Sequence, residues 1–374
     1  MARSFRIRIE PRGIEVTSLP GQSILDSILA AGVVIKHSCD AGACYLCRSR
    51  LKQGLVNTRQ ARHEYLGSAL SGAKSKTDNE TGGTVDSKHP LADFLLTCLA
   101  YPITDCVLEI ANVLAQGELP QITAACQVQA IKPLNHDVTQ YFLKLPAGKA
   151  VNYYAGQYLE IILNEGTEGE GRFPFSIANA LSDNRTLELH IRDIPDSDSL
   201  LKLKQALQLG EVIKVCLPSG TCTLQHIFGS EELKLDHTQT PLVFLAGSTG
   251  FAPIKAMLED CLPKAGKRPI MLYWGGRTEQ DLYLSEAPQA WQKQYQNFQY
   301  IPVISEPYNS PDWQGRTGLV HKVLMADLQP FAQDLTIVAG GSPGMVHAAY
   351  DDFIAAGLDP RQLHSDVFAY APRS

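Results

Sequence analysis

The sequence has no apolar run approaching the ~18 residues that a membrane-spanning helix requires. It also has no run of lysines or arginines, and its formal net charge is -6. The first absence argues against a membrane span, and the second against nucleic acid, because phosphate binding needs a concentrated basic face. The opening MARSFRIRIEPRG lacks the apolar core and small-residue cleavage site of a secretory signal, so a cytoplasmic protein is expected. Nothing in the composition is collagenous, low-complexity or disordered in type. With 44% hydrophobic and 19% charged residues, the 374-residue chain has ample apolar surface for two or three globular domains.

Against that background nine cysteines stand out. In a reducing compartment thiols stay reduced or bind metal. Cys106, Cys126, Cys216, Cys222 and Cys261 fall singly in apolar or alternating stretches and read as small buried hydrophobes. The segment HSCDAGACYLCRSRL, residues 37–51, is different, with the spacing Cys39-x4-Cys44-x2-Cys47. This is the plant-type iron-sulfur pattern, which closes with one distant cysteine. A 2Fe-2S cluster needs four thiolates, and a loop supplying three must bend tightly around it; Ala41 and Gly42 permit that bend. For the fourth ligand Cys98 and Cys106 compete. Cys106 alternates within a strand and should point into a core, whereas Cys98 in LLTCLAYP precedes a proline-containing turn, so Cys98 is chosen. Structural zinc is the rival, but it prefers two C-x2-C pairs and only Cys44 and Cys47 form one. His37 reads as a loop-packing residue.

The rest of the chain changes texture twice. FRIRIE, PRG and IEV make a hairpin signature, and a short helix follows Gly21, with Ile24, Leu25, Ile28 and Leu29 on one face and Gly32 as its stop. About 67–90 is polar and aperiodic and is expected to be a mobile insertion. The first domain is placed at 1–115. Residues 122–236 hold short strands at regular turn spacing, from TAACQVQAI to TCTLQ, which predicts an antiparallel barrel. From 241 to 374, continuous apolar runs such as LVFLA, IMLYW and LTIVA alternate with helical periodicity, which predicts a parallel sheet of βαβ units. The fold class is therefore multidomain, α+β followed by α/β.

The first 115 residues resemble the 2Fe-2S ferredoxin domain of reductases that serve bacterial oxygenases and deoxysugar dehydrases. The later segments resemble the ferredoxin-NADP reductase family, with the nearest likeness to the CDP-6-deoxy-glucoseen reductase type through FSIAN, FLAGSTGFAPIKAM, YWGGRT and GRTGLVH. The likeness covers nearly the whole chain, except the polar insertion. It implies a β-grasp ferredoxin domain, a flavin barrel and a nicotinamide-nucleotide domain, in that order.

The same resemblance assigns site residues. FPFSIAN (173–179) places Pro174, Phe175 and Ser176 at the flavin, with Phe175 against the isoalloxazine and the Ser176 hydroxyl facing N5. Phe173 stands where the family has an arginine, with Arg172 one place earlier, so weaker retention of FAD is expected. LHIRDIPDSDS offers Ile191, Arg192 and Ser199 to the ribityl and pyrophosphate, with Asp196 and Asp198 in place of the usual glycines. AGSTGFAP is a strand, a glycine turn and a helix start, an arrangement that presents N-H groups to phosphate. With YWGGRT and GGSPGM it gives Gly247, Ser248, Thr249, Gly250, Gly275, Arg277, Gly341, Ser342 and Met345 as nucleotide-binding candidates. Gly340 replaces a family cysteine. Phe368 stands where a terminal aromatic covers the flavin, with Tyr370 as the fallback; Ser176 and Phe368 are the catalytic candidates.

Together these features predict an enzyme that passes electrons from NADH, or NADPH, through FAD and a 2Fe-2S cluster to a protein acceptor such as an oxygenase or hydroxylase component or a dehydrase. Plant-type clusters lie near roughly -400 mV, so the acceptor must lie higher. The other reading is a ferredoxin-like carrier or redox-sensing subunit whose reductase half is degenerate.

Overall fold

The computed structural model describes residues 4–37, 42, 46–59, 84–89, 92–111, 113–114, 117–147, 151–164, 171–182, 185–232, 240–332 and 334–373. The chain divides into two compact units, Met1–Pro120 and Gln121–Ser374.

The first unit begins with the hairpin β1 (Phe5–Glu10) and β2 (Ile14–Ser18), paired from Phe5 opposite Ser18 to Ile9 opposite Ile14. Helix α1 (Ile24–Ala30) follows, started by a capping box in which Ser23 and Asp26 satisfy each other's backbone N-H groups. Strands β3 (Arg48–Gln53), β4 (Leu55–Thr58), β5 (Thr84–Asp86), β6 (Leu95–Leu96), β7 (Ala100–Pro102) and β8 (Cys106–Glu109) complete the unit. They form a five-stranded sheet, β2-β1-β8-β3-β6, and a three-stranded one, β5-β4-β7. The apolar face of α1 closes on the larger sheet, and Ile7, Ile9, Ile24, Ile28, Leu51 and Leu108 are shut off from solvent. A mixed sheet wrapped around one helix is the expected β-grasp ferredoxin architecture.

The insertion anticipated at about 67–90 does not extend that far. Thr84–Asp86 pairs with β4 and Val85 is buried, because one apolar residue between two polar ones suffices for a strand that covers a core edge. Residues 60–83 lie outside those described.

The second unit opens with strands β9 (Ile122–Pro133), β10 (Val138–Lys144), β11 (Tyr158–Leu163), β12 (Gly171–Ser176) and β13 (Thr186–Arg192). Helix α2 (Asp198–Ala206) and strand β14 (Val212–Ser219) follow. These six strands form one antiparallel sheet, β12-β11-β14-β9-β10-β13, curled into a half-barrel around Leu143, Leu159, Ile161, Leu189 and Val215. TCTLQ, expected as a strand, instead starts helix α3 (Leu224–Glu232). The Thr223 hydroxyl accepts from the His226 N-H at the first turn, and a local side-chain bond of this kind favours a helix start over a strand.

The remaining elements are β15 (Leu242–Gly247), α4 (Phe251–Cys261), β16 (Ile270–Gly276), α5 (Glu286–Gln294), β17 (Phe298–Ile304), β18 (Arg316–Thr317), α6 (Val320–Leu328), β19 (Thr336–Gly340), α7 (Pro343–Ala355), β20 (Leu363–His364) and α8 (Val367–Tyr370). All six strands are parallel, in the order β18-β17-β16-β15-β19-β20. The run Leu242–Ala246 is fully buried because apolar clusters cover both faces of the sheet. The strand order reverses direction beside β15, where β16 lies on one side and β19 on the other. Such a switch point opens a crevice at the carboxyl ends of the strands. Among the described residues, no helix is long and apolar enough to cross a membrane.

Gly54 gives a direct check on the first unit. Its φ is +97°, and a Cβ there would lie 2.4 Å from the Asp105 carbonyl oxygen. Gly54→Ala should lower stability by at least about 1–2 kcal/mol from the backbone alone. Urea unfolding measures it, and an unchanged midpoint would contradict this close approach.

Candidate functional site

In the first unit, Cys47 and Cys98 are buried with their sulfurs 3.2 Å apart. Thr97 joins the two cysteine segments. Both its backbone N-H and its hydroxyl donate to the Cys47 carbonyl, each at 3.1 Å, while its own carbonyl accepts from Leu25 at the start of α1. The hydrogen bond between the two sulfurs lowers the Cys47 thiol to about 6 against the opposing effect of burial. Thiolate is the form that ligates metal, so this pair suits an iron centre. Cys106 does not. Burial and the neighbouring Asp105 charge push its thiol up to about 11, and it donates to the carbonyls of Thr104 and Leu55. Gly42 has φ +77°, the left-handed bend expected of the loop. Cys39 and Cys44 lie outside the described residues.

In the second unit, a cleft of about 1810 Å³ lies between the half-barrel and the carboxyl ends of β15, β16 and β19. Its floor is backbone. A Cβ on Gly250 would fall 2.2 Å from the Gly340 carbonyl carbon, and one on Gly340 would fall 2.5 Å from the Gly250 oxygen. The turn after β15 therefore rests directly on the end of β19, an approach that only glycine allows. A Cβ on Gly275 would meet Val320 at 2.7 Å, whereas one on Gly247 would displace only the flexible end of Met345, its sulfur 2.2 Å away.

Ser248 in this turn has φ +48°, an uncommon conformation for a residue with a side chain. Two bonds hold it. Trp274 Nε1 donates to its carbonyl at 3.1 Å, and Arg192 Nη1 donates to its hydroxyl at 3.1 Å. Arg192 is aimed in turn by Asp137, which accepts from its Nε at 2.7 Å. The Ser342 hydroxyl caps α7 by accepting from Met345 N-H. The first turns of α4 and α7 line the cleft, so two helix N-termini bring positive potential to it. Asp281 ties the Gly275–Arg277 turn by accepting from the N-H groups of Arg277 and Thr278.

On the barrel side the structure alters the expected assignments. Arg172, Pro174 and Ser176 share one face of β12, opposite Ile162, Glu160 and Tyr158 of β11. Pro174, Ser176, Glu160 and Tyr158 line the cleft. Phe173 and Phe175 lie on the other face and pack on the barrel core, because the strand's period of two gives the large apolar rings to the interior. Phe175 thus turns to the barrel interior, while Tyr158 and Pro174 line the cleft. Arg172 is engaged by Glu160 at 3.1 Å in a partly exposed pair. Ile191 belongs to the buried barrel core and does not line the cleft, again by strand alternation. Ser199 is exposed on α2, behind the cap residue Ser197, and Asp196 and Asp198 face solvent.

Phe368 packs against Tyr350 and His347 of α7, with ring centroids 5.5 and 5.8 Å away, whereas Tyr370 lines the cleft. The two residues project differently from the short α8, and the apolar ring takes the packed position. Asp366 and Cys222 also line the cleft and were not anticipated. The Asp366 carboxyl accepts from Cys222 N-H at 3.2 Å and is raised to about 6 by burial. Neither carries a motif signal. Gly247, Ser248, Thr249, Gly250, Gly275, Arg277, Gly341, Ser342 and Met345 all come together in this cleft, as does Arg192.

Three family descriptions match the chain in order: 2Fe-2S iron-sulfur cluster binding domain over residues 7–102, oxidoreductase FAD-binding domain over 125–224, and oxidoreductase NAD-binding domain over 244–351. The chain is 30% identical over 365 residues to CDP-6-deoxy-L-threo-D-glycero-4-hexulose-3-dehydrase reductase of Yersinia pestis, covering 98% of both chains. The chain belongs to the iron-sulfur flavoprotein reductases. A second member of this family, the terephthalate 1,2-dioxygenase reductase component 1 of Comamonas sp., is 30% identical, with 99% and 98% of the two chains covered. Among solved structures, an Amycolatopsis cytochrome P450 reductase matches with a TM-score of 0.61 at 24% identity, covering 96% of this chain and 98% of that one. That likeness is one of fold. As a member of these reductases the chain is an oxidoreductase with 2Fe-2S, FAD-binding and NAD-binding domains.

The residues present fit these groups. The glycine floor and two helix ends suit a dinucleotide, the Cys47–Cys98 pair suits iron, and the Tyr158–Ser176 wall faces the glycine turn across the cleft. The contact beneath Gly340 leaves no room for a longer side chain there. Gly340→Cys should therefore impair the protein rather than restore a family contact. Overpacking strain of about 1–3 kcal/mol predicts an NADH KM raised about tenfold or more. Steady-state dye reduction measures it, and an unchanged KM would contradict the contact.

Proposed function

We propose that this chain takes hydride from NADH in the cleft of its second unit and passes electrons through a 2Fe-2S cluster to a partner protein, an oxygenase, hydroxylase or dehydrase component. The observation that carries this reading is the cleft itself, where a barrel wall of Tyr158, Pro174 and Ser176 faces the glycine turn Gly247–Gly250. The relatives support the choice of acceptor class, since one is named for a dehydrase and one for a dioxygenase. The assigned ligands are Cys39, Cys44, Cys47 and Cys98. The three functional segments are taken as 1–115, 122–236 and 241–374, and a reducing, cytoplasmic setting suits the thiols.

FAD held in this cleft would supply the chemistry that takes up a hydride and gives electrons singly. The chain's own residues supply position. Backbone N-H groups of the Gly247–Gly250 turn and the two helix ends hold phosphate oxygens; the Ser176 hydroxyl, at the end of β12, is offered to the flavin ring edge. Tyr370 covers the cleft from the C-terminal side.

Cys98→Ser and Cys106→Ser test the ligand choice. Cys98→Ser should lose iron and acid-labile sulfide, and with them NADH-driven reduction of cytochrome c, while ferricyanide reduction at the flavin persists. Cys106→Ser should keep all three. The reverse pattern would move the fourth ligand to Cys106, and zinc in the wild-type protein would overturn the reading.

A further inference from the structure

Lys255 is on the second turn of α4, the helix that begins where the cleft's glycine turn ends. Its side chain is only 9% exposed. A buried ammonium is tolerated only when its donors are satisfied. All three are. Lys255 Nζ donates to the Ala178 carbonyl at 3.0 Å, to Glu188 Oε2 at 3.0 Å and to Glu259 Oε1 at 2.7 Å.

Two of these partners belong to the barrel, and one is close to the flavin wall: Ala178 is two residues beyond Ser176. Glu259, one turn further along α4, accepts the Ala180 N-H at 3.0 Å with its other oxygen. The helix thus grips the IANA segment at two points. Glu188 is held from the barrel side by Gln140 and His190, each at 2.7 Å, and His190 bonds the Tyr283 hydroxyl at 3.0 Å. Burial would raise the Glu188 carboxyl, but the His190 bond and the Lys255 charge outweigh it and hold it at about 2. Tyr283 stands edge-on to Trp274, centroids 5.2 Å apart, and Trp274 is the residue that holds the Ser248 carbonyl. The polar cluster therefore touches the nicotinamide turn through its helix and through its aromatic support.

We propose that Lys255 is a positioning residue: its ammonium, shared between Ala178, Glu188 and Glu259, sets the offset between the nicotinamide turn on α4 and the flavin wall ending at Ser176. The inference rests on the hydride-transfer reading of the cleft. An apolar contact would join the two surfaces as stably. What the ionic cluster adds is direction, since acceptors on the segment after β12 and on β13, with Glu259 on α4 itself, permit one arrangement of helix and barrel. Hydride transfer depends on such an arrangement, and a displacement of about 1 Å can lower a rate about 100-fold.

The test uses Lys255→Met and the double variant Lys255→Met with Glu188→Gln, which removes the charge left behind. Each is mixed with NADH anaerobically, following flavin bleaching and the long-wavelength charge-transfer absorbance of stacked nicotinamide and flavin. The expected result for both is full FAD content, an NADH dissociation constant near that of wild type, a limiting bleaching rate lowered about 10–100-fold, and a weakened charge-transfer band. A double variant with wild-type limiting rate and band overturns the proposal, as does one that loses NADH affinity alone or fails to fold. Wild-type protein that holds FAD and is not bleached by NADH would instead remove the hydride-transfer reading beneath it.

Discussion

The architecture of the second unit depends on one contact, the backbone of Gly250 resting on the backbone of Gly340 and Gly341. Parallel strands at a switch point leave a crevice, but the crevice becomes a nucleotide site only if the turn after β15 lies low enough for its N-H groups to face inward. That position forces Ser248 into a left-handed conformation, which costs free energy. Trp274, Arg192 and Asp137 offset that cost, and each is fixed by an element outside the turn. The barrel therefore does two things, presenting a wall to the cleft and bracing the turn opposite. A fold built this way leaves no room for a side chain at Gly250 or Gly340, so the floor offers backbone groups there and side-chain contacts fall to the walls.

Much of this was legible in the sequence. The α1 stop at Gly32, the continuous apolar strands and the glycine turns all carry local signals. Their structural counterparts follow from period and punctuation alone. The face of β12 was not legible. FPFSIAN contains two aromatic residues and a proline at alternating positions, and either set can face a ligand; the barrel interior claimed the two phenylalanines because burying them is worth more than burying proline. Phe368 and Tyr370 pose the same choice, and the fully apolar ring again went to the packed side. Asp366, Cys222 and Tyr158 were invisible because nothing in their neighbourhood along the chain predicts that β11, the loop after β14 and α8 converge.

The first unit shows the same division between local and long-range information. Three cysteines within nine positions announce a metal loop, but the fourth must be chosen among residues far away. Strand alternation favoured Cys98, and the surroundings of the two thiols differ in the structure. Thr97 fastens the Cys47 carbonyl beside it, whereas the Cys106 thiol is spent on backbone carbonyls in a buried corner. Cysteines of equal burial thus separate by what their sulfur can reach.

The most direct measurement of the central claim is single-turnover reduction of the bound flavin by NADH and by NADH deuterated at the transferring position. If the glycine turn holds the nicotinamide against the barrel wall, the flavin bleaches in a single exponential that is slower with deuterium. A flavin that is retained but stays oxidised in saturating NADH would contradict it.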